Sequence, residues 1–332
     1  MGNTKYLTSV GELSRRDNSL CFKKDGTIIH LPVNEIREIY CMNSVKISSD
    51  TLSFLGKIGI MVHFFDYYQN YSGSFYPKDR YMSGKVLLRQ VQAYEGQRLF
   101  LAKKFVLAIG TNIHYVLQHY YKHGVVDVKD LLHWIKTDFV SLVQQSDSVP
   151  VLMSVEGDLW NRFYQTFSSF VQSEFVFDKR VRRPPDNPMN ALISFGNSLL
   201  YSKCVSVIYE THLDQRVSFL HELAESRYSL SLDVSEIFKP VLVFRTIFDL
   251  VNRKQLQVDK HFRQDLNCCL LNEEGRNLFI TAFEKRLDTT FYHKKLKRKV
   301  SYRTAIKLDC YKLLRYIMEQ ENFAFFSLYE MM

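Results

Sequence analysis

The sequence predicts an α+β protein in which a small N-terminal β-sandwich-like domain is followed by a larger all-α domain. Up to about residue 80, short β-like runs alternate with turn signals such as Lys24-Asp25-Gly26. From residue 81 onward, apolar residues recur at helical spacing almost to the end of the chain. Because 332 residues suit two hydrophobic cores better than one, we expect domains over residues 1–80 and 81–332.

The strands expected in the first domain are short. They cover residues 6–10, 19–23, 27–31, 36–40 and 60–65, and a last strand ends at Phe75. A short helix is expected at residues 49–57, with Ser48 or Ser49 as its N-cap and Gly59 after its last turn. Short strands bounded by turns predict a sheet or a small sandwich in this part of the chain.

The second domain is expected to begin with one long helix, or a kinked pair, over residues 81–117. Further helical segments are expected at residues 128–144, 151–171, 188–207, 232–250, 273–286 and 303–319. The segment that begins at Pro188 follows Asp186 and Asn187, either of which can cap its N-terminus.

Composition excludes several classes of protein. Hydrophobic residues make up 46% of the chain and charged residues 24%, which excludes intrinsic disorder. No apolar run approaches the ~20 residues of a membrane span, and the N-terminus lacks a signal-peptide pattern, so we expect a cytoplasmic protein with no membrane partner.

The six cysteines form no CxxC pair, which favours reduced, buried thiols over a zinc ribbon or disulfides. The P-loop, dinucleotide-binding and nucleophile-elbow motifs are also missing from the sequence.

The excess positive charge is concentrated near the C-terminus. The formal net charge is +9, from 44 Lys and Arg against 35 Asp and Glu. Residues 285–315 hold eleven of the bases and two of the acids, so this segment alone accounts for the +9. Its densest cluster contains Lys294, Lys295, Lys297 and Arg298. Such a segment predicts a polyanionic partner, and we expect contacts to nucleic-acid phosphates.

Acidic side chains of the helical domain are candidate metal ligands. Glu156 lies on the apolar side of its segment, where a lone carboxylate would be costly, so it requires a base or a metal ion as its partner. Asp233 and Glu236 are three residues apart on one face near a helix N-terminus, which suits either a divalent cation or the helix dipole. His221-Glu222 does not begin an HExxH zinc motif, because residue 225 is Glu.

A rigid basic loop lies between these acids along the chain. Arg180, Arg182 and Arg183 precede two prolines, and a helix follows that contains Asn190 near its start. Guanidinium groups can bind phosphates bidentately, so the loop either contacts DNA or is simply solvated.

These residues fall into ordered motifs that resemble the Cas1 (Cas-one) family, the metal-dependent DNA endonucleases and integrases of CRISPR spacer acquisition. The motifs are Phe64-Phe65-Asp66-Tyr67-Tyr68, Gly73-Ser74-Phe75-Tyr76-Pro77, Glu156-Gly157, Arg183-Pro184-Pro185, Asn190-Ala191-Leu192, Leu199-Leu200-Tyr201, Phe219-Leu220-His221-Glu222 and Asp233-Val234-Ser235-Glu236. They run through nearly the whole chain, and several ordered motifs are more specific than any one of them.

The resemblance implies a homodimer whose larger, helical domain holds Mg²⁺ or Mn²⁺. The implied ligands are Glu156, His221 and Glu236, and Asp233 is implied as a supporting acid. The chemistry is coherent, because hard oxygen ligands select these cations and one imidazole shifts the preference towards Mn²⁺.

The resemblance implies DNA as the substrate, both as a spacer-precursor duplex and as a CRISPR repeat. The residues expected to contact DNA are Arg180, Arg182, Arg183, Asn190, Lys294, Lys295, Lys297 and Arg298. It also implies the small Cas2 (Cas-two) protein as a partner, a dimer that bridges two dimers of this chain. The aromatic residues near the C-terminus are either a docking stripe for that partner or part of the core: Phe323, Phe325, Phe326 and Tyr329.

The expected reaction is a metal-assisted transesterification, in which the 3′-hydroxyl of a short DNA duplex attacks a phosphodiester at the end of a CRISPR repeat. One alternative is a DNA-binding scaffold with a vestigial site, which the retention of all three ligand types disfavours. A second alternative is a metal nuclease that acts on branched DNA outside CRISPR adaptation.

The sequence departs from the family pattern at two places. Residues 212–215 and Ser218 lack the Gly and Pro usual before the FLHE run, which leaves the loop geometry ahead of His221 open. Lys239 replaces the usual Arg, so it remains basic but makes no bidentate contact.

Overall fold

The computed structural model describes residues 3–77, 82–175, 179–182, 184–223, 225, 228–265, 268–294, 296–319 and 323–327. Strands dominate as far as Phe75, and helices dominate from Gly84 onward. The predicted α+β class is therefore confirmed. The predicted domain boundary between residues 80 and 81 lies outside the described residues.

Two four-stranded sheets make up the N-terminal part of the described chain. Their strands are β1 (Asn3–Leu7), β2 (Gly11–Arg16), β3 (Ser19–Lys24), β4 (Thr27–Leu31), β5 (Ile36–Cys41), β6 (Val45–Ile47), β7 (Met61–Phe65) and β8 (Tyr71–Phe75). One sheet has the order β1-β5-β7-β8 and the other β4-β3-β2-β6. β1 pairs with β5 and β5 with β7 in parallel, so the segments that connect these strands are crossovers rather than tight hairpins.

Strands β2 and β6 were not predicted from the sequence, and the first strand was predicted three residues too far along, at residues 6–10 instead of Asn3–Leu7. In β2 only Leu13 is fully buried, while charged residues occupy most other positions, so no apolar run marks the strand. β6 is only three residues long. The expected helix is present as α1 (Ser49–Ile58), capped by the Ser48 hydroxyl, which accepts the Thr51 N–H at 3.2 Å.

The C-terminal part is mainly helical. Its helices are α2 (Gly84–Lys122), α3 (Lys129–Trp134), α4 (Val140–Gln145), α5 (Val149–Gln165), α6 (Pro188–Tyr209), α7 (Ser229–Phe238), α8 (Arg245–Asn252), α9 (Val258–His261), α10 (Glu273–Asp288) and α11 (Tyr302–Glu319). The first of them is one continuous helix rather than a kinked pair. A π-helical stretch, Lys239–Phe244, joins α7 to α8.

Two short hairpins interrupt the helices, which an entirely helical domain would not contain. They consist of β9 (Phe262–Asp265) with β10 (Cys268–Leu271), and of β11 (Thr290–His293) with β12 (Arg298–Ser301). Each strand has only four residues, so no alternating pattern long enough to predict it exists in the sequence. The second hairpin carries the basic cluster at its turn.

Helix α6 is the central helix of the core. The Asn187 side chain caps it by accepting the Asn190 N–H at 2.9 Å, and Pro188 is its first residue, as the sequence predicts. By length and composition alone this helix could cross a membrane, but 78% of its most apolar window is buried inside the protein. Its apolar character is therefore explained by packing against helices α7 and α11, the Lys239–Phe244 stretch and strands of two sheets.

A buried polar network joins the first sheet to α6. The ammonium of Lys203 donates to Glu38 Oε1 at 2.6 Å, and Ser206 Oγ donates to Glu38 Oε2 at 2.6 Å. His63 Nε2 lies 2.7 Å from the same serine hydroxyl. Because α6 also lines the cleft described below, this network fixes the sheet against one wall of that cleft.

The cysteines are free and buried, as predicted. None of the six forms a disulfide, and each is buried in the core or in a sheet.

Candidate active site

A cleft of about 1230 Å³ opens between the β7–β8 turn and helices α5, α6 and α7. Acids, bases and aromatic rings line it, including Glu156, Trp160, Tyr164, Arg180, Arg182, Asn197, Tyr201, Arg216, His221, Tyr228, Glu236 and Lys239. The predicted ligands Glu156, His221 and Glu236 thus meet in one cleft, although they come from three separate segments of the chain.

Asp233 holds the loop that carries His221. Its Oδ2 accepts the backbone N–H groups of Phe219 at 2.7 Å and Leu220 at 2.9 Å. Its Oδ1 accepts the backbone N–H of His221 at 3.0 Å and lies 2.8 Å from the ring Nδ1. With Nδ1–H as the donor in that contact, Nε2 is the nitrogen available to a ligand in the cleft.

The position of Asp233 excludes the helix-dipole alternative for this residue. Helix α7 begins at Ser229, earlier than the sequence predicts, so Asp233 lies beyond the first turn. Its carboxylate bonds to the loop before the helix and not to the helix N-terminus. Burial by itself would lower the pKa of His221, but the surrounding carboxylates, Asp233 first, raise the pKa above its usual value.

Glu156 is buried on α5 beside a tryptophan. The indole Nε1–H of Trp160, one helical turn later, donates to Glu156 Oε1 at 2.6 Å. Burial and then the charge of Glu236 raise the pKa of Glu156 to about 7, against the opposing charges of His221 and Lys239. Two carboxylates therefore lie close together where water screens their charges poorly.

Glu236 lies on α7 and is paired with a base. The ammonium of Lys239, three residues later, bonds to Glu236 Oε1. The sequence alone indicates a base at position 239 but does not predict this ion pair.

Glu156, His221 and Glu236 are suitable ligands for a divalent cation, although their side chains are not arranged around a common point in this structure. Among the described residues, no three carboxylate, imidazole or thiol side chains are arranged to hold a metal ion. The hydrogen bonds explain why, because Oε1 of Glu156 faces Trp160 and Oε1 of Glu236 faces Lys239. Two buried carboxylates and one oriented imidazole are suitable ligands for Mg²⁺ or Mn²⁺, and Asn197 Oδ1 is a further buried oxygen, one without a partner among the described residues.

The loop ahead of His221 is ordered by a residue that the sequence analysis missed. Gln90 of α2 is fully buried, and its Nε2 donates to the carbonyl oxygens of Asp214 at 2.9 Å and Val217 at 2.8 Å. Its Oε1 accepts the Asp214 N–H at 2.9 Å. The available signal was a polar residue within the apolar stripe of a long helix. This side chain defines the geometry that the missing Gly and Pro left open.

The basic loop lies at the rim of the cleft, but only part of it is available to DNA. Arg182 is exposed at the rim. Arg180 also lines the cleft, and its guanidinium donates to Asn190 Oδ1 and Ser194 Oγ, each at 2.9 Å. Arg183 lies outside the described residues.

Asn190 occupies a different position from the one expected of a DNA contact. It is fully buried, its Nδ2 donates to Lys179 O at 3.0 Å and to Asp186 Oδ1 at 2.7 Å, and its Oδ1 also accepts the Val181 N–H at 3.2 Å. These bonds shape the basic loop and leave no exposed atom for a phosphate. Its position therefore does not support the predicted DNA contact.

The basic C-terminal segment is divided by its ion pairs. Bases at both ends of residues 285–315 are paired: Arg286 with Asp249, Arg303 with Glu284 and Asp288, Lys307 with Glu210, and Lys312 with Asp309. The bases at the β11–β12 turn are exposed and form no ion pair within the described part of the chain: Lys294, Lys297, Arg298 and Lys299. Lys295 is outside the described residues. Within residues 285–315, most of the exposed, unpaired positive charge thus lies on one hairpin.

Phe325 and Phe326 near the C-terminus belong to the core, and Phe323 is half-buried against it. Phe325 packs against Phe105 with a ring-centroid distance of 4.2 Å, and Phe326 stacks on Phe238 at 5.0 Å. Both rings are buried, which supports the packing alternative over a docking stripe at these positions. Tyr329 lies outside the described residues.

The fold of this chain is the fold of solved Cas1 and casposase structures. The chain superposes on a Cas1 protein from Thermotoga maritima with a TM-score of 0.86 and 34% identity, covering 98% of this chain and 99% of that one. A casposase bound to integration product has the same fold at a TM-score of 0.85 and 21% identity, covering 98% and 93% of the two chains. A chain of a Cas6-RT-Cas1–Cas2 complex also contains this fold, with a TM-score of 0.81 and 21% identity. The match covers 96% of this chain and 35% of that chain.

Sequence relatives identify the family. The chain is 42% identical to a CRISPR-associated protein Cas1 of Methanobrevibacter ruminantium over 320 residues, 96% of each chain. It is 40% identical to a CRISPR-associated endonuclease Cas1 of Thermodesulfovibrio yellowstonii, covering 97% and 98% of the two chains. The family model for CRISPR associated protein Cas1 matches residues 5–285. The chain therefore belongs to the Cas1 family, as its sequence motifs predict.

Proposed function

We propose that this chain is a metal-dependent DNA endonuclease and integrase of CRISPR adaptation, which inserts spacer DNA into a repeat array. The observation that carries the proposal is the convergence of Glu156, His221 and Glu236 in one cleft with arginines at its rim. The relatives named as CRISPR-associated endonucleases and the casposase bound to integration product support the same chemistry.

Glu156, Glu236 and Nε2 of His221 would hold Mg²⁺ or Mn²⁺. When bound, such an ion supplies polarisation of phosphoryl oxygens and stabilises charge on the attacking and leaving oxygens. Asp233 keeps the imidazole of His221 in the tautomer and orientation that this role requires. The rings of buried Trp160 and half-buried Tyr164 line this end of the cleft and would limit the access of water.

The proposed reaction exchanges one phosphodiester for another. The 3′-oxygen of the spacer strand loses its proton to solvent and bonds to a phosphorus at the repeat end. The P–O bond to the adjacent 3′-oxygen of the repeat strand breaks, and that oxygen takes up a proton and leaves as a 3′-hydroxyl. Arg182, and Arg180 after release from its loop contacts, would neutralise the backbone phosphates on either side.

DNA and Cas2 are the partners that we propose, with the chain acting as a homodimer and a Cas2 dimer bridging two such dimers. The exposed bases of the β11–β12 hairpin support DNA binding without sequence preference, because phosphates carry no sequence information. The Cas1–Cas2 complexes of the same fold support Cas2 as a partner.

A strand-transfer assay with ligand variants tests the proposal. We expect Glu156→Gln and Glu236→Gln each to lower strand transfer into a repeat array by at least ~100-fold, because each removes one negatively charged metal ligand. Asp158→Asn is the matched control, since Asp158 lies on the same helix but pairs outward with Arg162 at 2.9 Å. Wild-type rates in both ligand variants would contradict the metal site. Faster cleavage of a branched junction than transfer into the repeat would favour the branched-DNA alternative.

A further inference from the structure

Lys239 places a positive charge inside the group of proposed metal ligands. It follows the last residue of α7 and begins the π-helical stretch Lys239–Phe244. Its ammonium is paired with Glu236, and the two side chains are only 13% and 7% exposed. An ion pair at this depth is poorly screened by water and costly to leave with one partner missing.

The other cationic side chains that line the cleft are engaged elsewhere or exposed at the rim. Arg180 is bonded to Asn190 and Ser194, and Arg216 is paired with Asp214 at 2.6 Å. Arg182 is exposed at the rim. Within the described cleft, Lys239 is therefore the lysine or arginine that directly compensates a buried ligand carboxylate.

We propose that Lys239 is a built-in counter-cation of the metal site, which occupies Glu236 while no metal is bound and is displaced to contact a DNA phosphate when metal binds. The inference rests on the proposed function, because it requires Glu156 and Glu236 to be ligands. It explains why the carboxylates do not enclose a metal site in this structure, since Glu236 Oε1 bonds to an ammonium instead.

The displacement changes the sign of the local charge. With both acids ionised, the side chains of Glu156, Glu236 and Lys239 together carry a formal charge of −1, which does not attract a phosphate to this end of the cleft. A divalent cation brings the same group to +1, and the released ammonium is then free to attract a phosphate. Metal binding and DNA binding are therefore positively coupled through Lys239, and metal binding alone is weakened by the competition.

Metal affinity in the absence of DNA is the first test. We expect full-length Lys239→Met to bind Mn²⁺ about tenfold more tightly than wild type, measured by titration calorimetry and by electron paramagnetic resonance of free Mn²⁺. Lys239→Arg keeps the charge and is expected to stay within about threefold of wild type. Equal or weaker Mn²⁺ binding by Lys239→Met, in protein whose thermal unfolding is cooperative, would overturn the proposal.

DNA affinity with and without Mn²⁺ is the second test. We expect Mn²⁺ to strengthen binding of a short duplex in wild type, and to do so about fivefold less in Lys239→Met. Arg182→Met is the matched control, because it removes a base at the rim that has no ligand carboxylate as a partner. It is expected to weaken DNA binding equally with and without Mn²⁺ and to leave Mn²⁺ affinity unchanged.

Glu236→Gln separates failure of the inference from failure of the proposed function. If wild type and Glu236→Gln bind Mn²⁺ equally, the proposed metal site is wrong, whatever Lys239 does. If Glu236→Gln loses Mn²⁺ while Lys239→Met binds it as wild type does, the metal site stands and the counter-cation is wrong. Lys239→Gln provides a second neutral variant in case the methionine disturbs packing, and it is expected to shift Mn²⁺ affinity in the same direction.

Discussion

At the scale of single residues, the cleft depends on side chains that touch the proposed ligands rather than on the ligands alone. Asp233 accepts hydrogen bonds from three consecutive backbone N–H groups and contacts the ring of His221. Gln90 orders the preceding part of the same loop. Each of these polar side chains is buried, so a substitution leaves unpaired groups where water does not compensate.

Asp233→Asn should therefore reduce strand transfer although it removes no proposed ligand. One amide oxygen replaces two carboxylate oxygens, and the amide N–H₂ would face backbone donors, so the imidazole loses its fixed orientation. We expect a fall of roughly 10–100-fold in rate, the range typical of residues that orient a metal ligand. Rates are to be measured beside Asp158→Asn, and an unchanged rate in Asp233→Asn would count against the positioning role.

At the scale of elements, the β11–β12 hairpin carries the charge that the whole basic segment was expected to carry. On the flanking helices α10 and α11, Asp or Glu side chains neutralise Arg286, Arg303 and Lys307, whereas the bases at the turn project into solvent. Exposed, unpaired bases can displace counterions from DNA, and paired ones contribute little.

Neutralising the hairpin turn should weaken DNA binding at every sequence. In a Lys294→Gln, Lys297→Gln and Arg298→Gln triple variant, the slope of log affinity against log salt should decrease by ~0.9 for each phosphate contact that is lost. Lys307→Gln is a suitable control, since Lys307 is paired with Glu210 at 2.8 Å. Mn²⁺ affinity should stay constant, and an unchanged slope in the triple variant would show that the turn does not contact DNA.

At the scale of the whole molecule, the sheet and the helical part are joined by buried charge. Although burial opposes ionisation, the charge of Lys203 and then the hydrogen bond of His63 hold the pKa of Glu38 well below its usual range. Lys203 also lies 3.0 Å from Glu284 of α10, so one ammonium connects a strand and two helices. The arrangement links the stability of the sheet to the position of the wall of the cleft.

Lys203→Met should destabilise the protein by about 3–5 kcal/mol, because it leaves Glu38 buried without a cation. Urea unfolding of the full chain measures the change in free energy. A Glu38→Gln and Lys203→Met double variant should recover part of the loss, since the uncompensated charge is then gone. If the double variant loses as much free energy of unfolding as the two single variants together, or more, the attribution to buried charge is wrong.

The sequence predicted features that depend on local pattern and on family motifs. The helix caps at Ser48 and Asn187 and the shared location of Glu156, His221 and Glu236 fall in this group. It did not predict features that depend on pairing between distant segments, such as the three-residue strand β6.

Charge provides a second example of that limit. The sequence gives the number of bases in residues 285–315. Only the fold shows which of them are paired with acids of other elements, as Arg286 is with Asp249. Gln90 was missed for the same reason, because its partners lie more than 100 residues further along the chain, at residues 214 and 217.

The burial of all six cysteines makes this chain suitable for site-directed labelling. Burial raises the pKa of the Cys41 thiol to about 12 and that of Cys269 to about 11, so both react slowly with maleimides at neutral pH. A cysteine introduced at exposed Leu296, in the turn of the basic hairpin, would therefore be the reactive thiol in the folded protein. A fluorophore at that position would report on the approach of DNA to the hairpin without removal of any native cysteine.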